Sequence, residues 1–145
     1  EDNALDQREH ENAAVYDFSG KRILLVEDNE LNAEIAMTIL QGNGLAVDWV
    51  KDGTDCFAAL EEKPAHYYDA VLMDIQMPKM NGYEATQKIR TSHGKNADIP
   101  IIAMTANAFE EDRKKAFEVG MNGHVAKPIN VEMLMKTLRE NLGQT

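Results

Sequence analysis

The chain has 145 residues, of which 43% are hydrophobic and 28% are charged, and its formal net charge is -10. This length suffices for one domain with a core, and the apolar runs are too short to cross a bilayer. The acidity argues against binding to nucleic-acid phosphates. The lone cysteine, Cys56, cannot form an internal disulfide, which suits a reducing cytoplasm. We therefore expect a cytoplasmic protein without direct membrane contact.

The N-terminal segment differs in composition from the rest. Residues 1–19 hold six acidic residues and one arginine, with little apolar content and no clear period. This pattern is typical of a linker or frayed helix. We therefore expect an acidic linker over 1–19 and a folded domain over 20–143. Since the chain begins with Glu1 rather than methionine, we also expect it to be a piece of a longer protein.

From Lys21 onward, short apolar runs alternate with amphipathic stretches. Runs of three or four mainly apolar residues predict strands that are buried on both faces of a sheet. The predicted strands are residues 23–26, 47–50, 70–73, 101–104 and, more weakly, 124–126.

The stretches between the predicted strands have the spacing of helices. Leu31, Ile35 and Ile39 are four residues apart, with Ala36 and Leu40 beside them. Similar spacing follows at Phe57 and Leu60, at Ala85 and Ile89, and at Leu134, Leu138 and Leu142, where Asn130 is the expected N-cap. Five strands alternating with five helices predict a parallel sheet with helices on both faces.

In parallel sheets the functional crevice lies at the carboxyl ends of the strands. The second strand leads only into Lys51 and Asp52, which we interpret as a solvated turn. The other strands deliver Glu27 and Asp28, Asp74, Thr105 and Lys127. Singly, such residues are more often helix caps, turn formers or surface groups.

The strand-end residues are better explained together. Clustered carboxylates are costly unless a cation neutralises them, and oxygen ligands favour a hard ion such as Mg²⁺. A carboxylate at such a site can also act as a nucleophile that becomes an aspartyl phosphate. Its phosphoryl oxygens would need the hydroxyl of Thr105, the amine of Lys127 and the metal.

Four motifs carry a family resemblance. They are LLVEDN at 24–29, LMDIQMPKMNGYEA at 72–85, PIIAMTANA at 100–108 and GMNGHVAKPI at 120–129. With these motifs the chain resembles the receiver domain of two-component response regulators, and most closely the receivers of hybrid sensor histidine kinases. The resemblance covers roughly residues 20 to 143. It implies the flavodoxin-like (βα)5 fold of the α/β class, a three-layer sandwich around a parallel five-stranded sheet in the order 2-1-3-4-5.

The resemblance also implies roles for individual residues. Asp74 would be the phosphoacceptor, and Mg²⁺ would be held by Glu27, Asp28, Asp74 and the backbone carbonyl of Gln76. Thr105 would be the switch hydroxyl and Lys127 the ion-pair partner of the phosphate. The side chains of Gln76 and Asn107 would flank the site and influence the phosphate lifetime, and the Lys127–Pro128 bond is often cis in such domains.

The implied function is phosphotransfer signalling. The domain would take a phosphoryl group from a histidine kinase or a histidine phosphotransfer domain onto Asp74. It would catalyse its own Mg²⁺-dependent phosphorylation and dephosphorylation without being a conventional enzyme. A stand-alone response regulator remains an alternative to a hybrid kinase receiver.

Other classes fit less well. A Mg²⁺-dependent phosphatase of the haloacid dehalogenase type requires an acidic residue two positions after the nucleophile as general acid, and this chain has Gln76 there. A flavodoxin-like flavin carrier needs Ser, Thr and Gly donors after the first strand, where Glu27 and Asp28 would repel phosphate. An inactive scaffold receiver would lack an acid, the acceptor or the lysine, and none is missing.

His124 departs from the family pattern. Receivers commonly place Tyr or Phe three residues before the lysine, and that ring turns inward when the threonine moves. A surface imidazole is one reading of His124. The other is a weakly coupled switch residue that resists turning inward below about pH 6.5, where histidine gains charge.

Overall fold

The computed structural model describes residues 18–77, 80–92, 94, 96–106 and 110–142. Strands and helices alternate through this part of the chain, as the sequence predicts. The strands are β1 (Arg22–Val26), β2 (Ala46–Val50), β3 (Ala70–Asp74), β4 (Ile101–Thr105) and β5 (Gly123–Ala126). The helices are α1 (Glu30–Gly42), α2 (Gly53–Glu62), α3 (Gly82–Thr91), α4 (Glu110–Val119) and α5 (Val131–Asn141).

The five strands form one parallel sheet in the order β2-β1-β3-β4-β5. The predicted flavodoxin-like topology is therefore confirmed. The strand ends predicted from the sequence agree with those in the structure to within one residue. The central strands β3 and β4 are buried along their whole length, which explains their unbroken apolar runs.

Two apolar clusters lie on opposite faces of the sheet. One joins α1 and α5 to side chains such as Leu25, Leu72 and Met104. The other joins α2, α3 and α4 to side chains such as Val26 and Met73. Adjacent strand residues point to opposite faces, so each strand contributes to both clusters. The result is the predicted three-layer sandwich.

Side-chain caps fix where most helices begin. The side chains of Asn29, Asp52, Asn81 and Asn130 accept hydrogen bonds from the first turns of α1, α2, α3 and α5. The predicted cap at Asn130 is thus confirmed. Asp52, interpreted from the sequence as part of a solvated turn, is the cap of α2.

The predicted burial was wrong in part for β2, and the apolar stripe of α1 is only partly buried. β2 is only half-buried at every position, because it lies at the edge of the sheet. In α1 the buried residues are Ala33, Ala36 and Leu40, whereas Leu31 and Ile35 are 65% and 47% exposed. The apolar stripe of α1 is therefore wider than the core it covers.

Phe18 lies within the segment expected to be a linker. It is fully buried and belongs to the same apolar cluster as Leu45, and its carbonyl accepts a hydrogen bond from the Lys21 N–H. The packed region thus includes residue 18, while residues 1–17 lie outside the described residues. None of the helices described is long and apolar enough to cross a membrane.

Candidate functional site

Four strand ends deliver the predicted side chains to one edge of the sheet. Asp74 and Thr105 are the last residues of β3 and β4, and Glu27 and Lys127 directly follow β1 and β5. Carboxylate oxygens of Glu27, Asp28 and Asp74 all lie within 4.8 Å of one another. The predicted convergence of these acids is present in the structure.

Glu27 is a buried acid with partners on both carboxylate oxygens. It is 1% exposed. Its Oε1 accepts a hydrogen bond from Lys127 Nζ at 2.9 Å, and its Oε2 accepts one from the Asn29 backbone N–H at 3.1 Å. The side chain is therefore held toward the centre of the site.

Asp74 is held in a similar way. It is 4% exposed. Lys127 Nζ lies 3.1 Å from its Oδ2, and the Gln76 backbone N–H donates to its Oδ1 at 3.1 Å. The predicted metal ligation by the Gln76 carbonyl stays a prediction.

Lys127 therefore bridges the two buried acids. Burial disfavours its charged form, but the hydrogen bonds and charges of Glu27 and Asp74 outweigh burial and raise the pKa of Lys127. The amine is held as a cation. One lysine against three carboxylates leaves the cluster with surplus negative charge.

Thr105 lies beside Lys127 on the neighbouring strand. It is 4% exposed, and its carbonyl accepts the Lys127 backbone N–H at 2.8 Å. The Lys127–Pro128 bond is cis, as the resemblance led us to expect. Asn107, expected to flank the site, lies outside the described residues.

Gly82 allows the loop after Asp74 to close tightly. Its N–H donates to the Ile75 carbonyl at 2.9 Å, and a Cβ at this position would lie 2.7 Å from the Asp74 carbonyl oxygen. No larger residue fits without moving the backbone of Asp74. The sequence indicated a turn here but not this close approach.

Trp49 is a site neighbour that the sequence did not reveal. Its indole N–H donates to the Glu27 carbonyl at 2.8 Å. The contact depends on the pairing of β1 with β2, in which Leu25 lies opposite Trp49. That register cannot be read from the residues alone.

His124 lies on β5, away from the acids, beside a cleft of about 440 Å³ that Phe117 and Met133 also line. Its Nε2 is buried and has no hydrogen-bond partner among the described residues. Burial, and secondarily the charge of Arg113, lower its pKa, against a smaller opposing effect of Asp112. Protonation therefore occurs at lower pH than the sequence alone suggested.

Comparison with known proteins identifies the family. The family model of the response regulator receiver domain matches residues 23–139. Hybrid signal transduction histidine kinase L of Dictyostelium discoideum is 41% identical over 110 residues, which are 74% of this chain and 6% of that protein. This chain thus spans a small part of that relative's length.

Solved structures agree with this assignment. The receiver domain of sensor histidine kinase PA1611 from Pseudomonas aeruginosa PAO1, with magnesium in its active-site cleft, is 38% identical with a TM-score of 0.77, covering 87% of this chain and 100% of that one. A chain of the Saccharomyces cerevisiae complex of the histidine phosphotransfer protein Ypd1 with the receiver of Ssk1 is 28% identical, with a TM-score of 0.73 and coverages of 83% and 88%.

The chain belongs to the response regulator receiver domain family, and its role is in two-component signal transduction. The resemblance inferred from the four motifs is confirmed. Family membership also weighs against the phosphatase and flavin-carrier alternatives.

Proposed function

We propose that Asp74 accepts a phosphoryl group from a phosphohistidine and that the domain passes this signal on within a phosphorelay. The observation that carries the proposal is the cluster itself. Three carboxylates have oxygens within 4.8 Å of one another, and Lys127 is bonded to two of them.

The cluster suits a divalent cation. Its donors are all oxygens, two of the acids are buried and Asp28 is exposed to solvent, which fits a hard ion that keeps some of its water. We propose that Glu27, Asp28 and Asp74 hold Mg²⁺ together with the Gln76 carbonyl. When bound, the ion supplies positive charge for the phosphoryl oxygens. The magnesium-containing PA1611 receiver supports this choice of ion.

The transfer step needs little covalent chemistry from the protein. A carboxylate oxygen of Asp74 attacks the phosphorus atom, the bond from phosphorus to the histidine nitrogen breaks, and that nitrogen keeps the electron pair and takes a proton. Lys127, already a cation beside Asp74, then turns to the new phosphoryl oxygens. The Thr105 hydroxyl donates a second hydrogen bond to them.

The partner that brings the phosphohistidine must dock beside the acids. α1 begins three residues after Glu27, and its exposed Leu31 and Ile35 are apolar. Ile35 and Lys127 line the same small cleft, so apolar docking would place a partner over the site. We propose a histidine kinase or histidine phosphotransfer domain as this partner and no nucleic acid.

The output surface lies elsewhere. α4 follows the Thr105 strand, and α5 packs beside β5, where Phe117 and Met133 are both 54% exposed. We propose that inward movement of Thr105 changes this surface and that His124 takes part. The imidazole would resist turning inward once it is protonated.

The setting of the domain is part of the proposal. The similarity to hybrid kinase L, of which this chain spans 6%, supports a receiver within a hybrid sensor histidine kinase. The buried free thiol of Cys56 suits the cytoplasm. The domain itself would catalyse only its own phosphorylation and dephosphorylation.

Intact-mass measurement after incubation with acetyl phosphate and Mg²⁺ tests the acceptor. The wild type should gain the mass of one phosphoryl group, and Asp74→Asn should gain none. Asp52→Asn, the matched control, removes a carboxylate that caps α2 and should be modified like the wild type. An adduct that persists in Asp74→Asn would contradict the assignment.

A further inference from the structure

Trp49 reaches from the edge strand to the acid pair. β1 ends at Val26, so the carbonyl of Glu27 lies beyond the strand. The indole N–H of Trp49 donates to that carbonyl at 2.8 Å, and the N–H of Glu27 donates to the Val50 carbonyl at 3.1 Å. β2 thus holds both backbone polar groups of Glu27.

The Glu27 carbonyl belongs to the peptide that joins Glu27 to Asp28. A peptide unit is planar, so a fixed carbonyl also fixes the direction in which the backbone enters Asp28. Glu27 has additional side-chain anchors in Lys127 and Asn29. The Asp28 side chain is exposed, so its position depends mainly on its backbone.

The Trp49 ring is itself held in place. It packs against the apolar cluster beneath α1 and α5, and Lys51 Nζ lies 5.7 Å from the ring centroid. An indole ring that is held in this way keeps its N–H directed at the Glu27 carbonyl.

We propose that Trp49 is a positioning residue of the metal site, which orients Asp28 by holding the peptide between the two adjacent acids. This inference rests on the proposed Mg²⁺ site. Trp49 does not contact the ion or the phosphoryl group. It acts by keeping two of the three carboxylates converged before the ion arrives.

The substitution Trp49→Phe tests this role, because it keeps an aromatic ring and removes the N–H donor. Titration calorimetry with Mg²⁺ should give a dissociation constant about three- to tenfold weaker than that of the wild type, as expected for the loss of one hydrogen bond behind a ligand.

Tyr68→Phe is the matched control. It removes the hydrogen bond that Tyr68 donates to Asp48 on the same strand β2 at 2.7 Å. It should weaken the attachment of β2 without changing Mg²⁺ affinity. Equal affinities of the wild type and Trp49→Phe for Mg²⁺ would overturn the role of Trp49.

The NMR signal of the Trp49 indole N–H tests the inference in the wild type, where no substitution can disturb folding. Trp49 is the single tryptophan of the chain, so its indole N–H gives one NMR signal. At a Mg²⁺ concentration that half-saturates the wild type, Mg²⁺ should shift that signal in the wild type and in Tyr68→Phe, and much less in Asp28→Ala. An indole signal that stays fixed while the wild type binds Mg²⁺ would overturn the inference. A wild type that binds no Mg²⁺ would instead overturn the proposed function on which the inference rests.

Discussion

The two ends of the sheet use charged residues in different ways. Toward the amino end, several charged residues have partners within the chain. Arg22 lies 3.7 Å from Asp48, its backbone N–H donates to Asp69 at 2.8 Å, and Asp48 accepts the Tyr68 hydroxyl at 2.7 Å. These groups are paired within the chain, and they need nothing from outside.

Arg90 also has partners within the chain near the amino ends of the strands. Its guanidinium donates to the Gly120 carbonyl from two nitrogens and to the Ala97 carbonyl and the Asn122 side chain. Asn122 in turn accepts the N–H of Ile101, the first residue of β4. One half-buried cation thereby ties together the segments that lead into β4 and β5.

The carboxyl end has an unmatched charge instead. Glu27, Asp28 and Asp74 converge, and Lys127 is the cation paired with the two buried ones. Paired charge at one end stabilises the fold, while surplus charge at the other suits a ligand that brings positive charge. The paired charges therefore have a structural role and the acid cluster a functional one. Substitutions in each group test this distinction.

The largest effect on stability should come from Arg90→Ala. The variant loses four hydrogen bonds and leaves carbonyl groups without partners, which should lower the free energy of unfolding by about 2–4 kcal/mol. Urea denaturation measures it, with the exposed Lys136→Ala as the control for a lost surface cation. A loss no greater than that of the control would show that Arg90 is not a structural tie.

The sequence located the elements well because their patterns are local. The runs at 70–73 and 101–104 are apolar throughout, and β3 and β4 are buried throughout. The convergence of Glu27, Asp28 and Asp74 followed from the rule that parallel strands share a carboxyl end. Such inferences need only the order of the strands.

Features that depend on three-dimensional packing were not predictable. The apolar spacing in α1 does not reveal that Leu31 and Ile35 lie beyond the core, because the width of the buried stripe depends on what packs against it. The hydrogen bond from Trp49 to Glu27 requires the register of two strands. The direction of the His124 pKa shift requires its burial and its neighbours.

Removal of a single carboxylate should change the free energy of unfolding by a smaller amount, with opposite signs for Asp28 and Asp48. In metal-free buffer, Asp28→Ala removes one of three like charges and should raise the free energy of unfolding by about 0.5 kcal/mol. Asp48→Ala removes the acceptor of Tyr68 and the partner of Arg22 and should lower it by about 1 kcal/mol. Thermal unfolding in the presence of a chelator measures both, and a loss of stability in Asp28→Ala would refute the idea of surplus charge.

The smallest effect concerns pH and His124. Its pKa is lower in the folded protein than the ordinary value of 6.5, so the unfolded chain binds the proton more readily. Above pH 6.5 His124 is neutral in both states and does not reduce the free energy of unfolding. As the pH falls below 6.5, the unfolded chain takes up the proton first, and the free energy of unfolding decreases. Asp112, Arg113 and Glu140 are the charged groups around this cleft.

Unfolding measured at a series of pH values should show a steeper loss of stability below pH 6.5 in the wild type than in His124→Gln. The two proteins differ only at this side chain, so the difference between the curves isolates His124. Parallel curves would show that His124 has no pH-dependent role in folding.

The most direct test of the metal-assisted acceptor site is Mg²⁺ binding measured by calorimetry for the wild type, Asp28→Ala and Asp48→Ala. Each variant removes one carboxylate, from the acid cluster in Asp28→Ala and from the middle of β2, where Asp48 pairs with Arg22, in Asp48→Ala. We predict that Asp48→Ala binds Mg²⁺ like the wild type, and that Asp28→Ala binds at least about tenfold more weakly. Equal affinities of Asp28→Ala and the wild type would contradict the claim that the acids following β1 form half of a metal site.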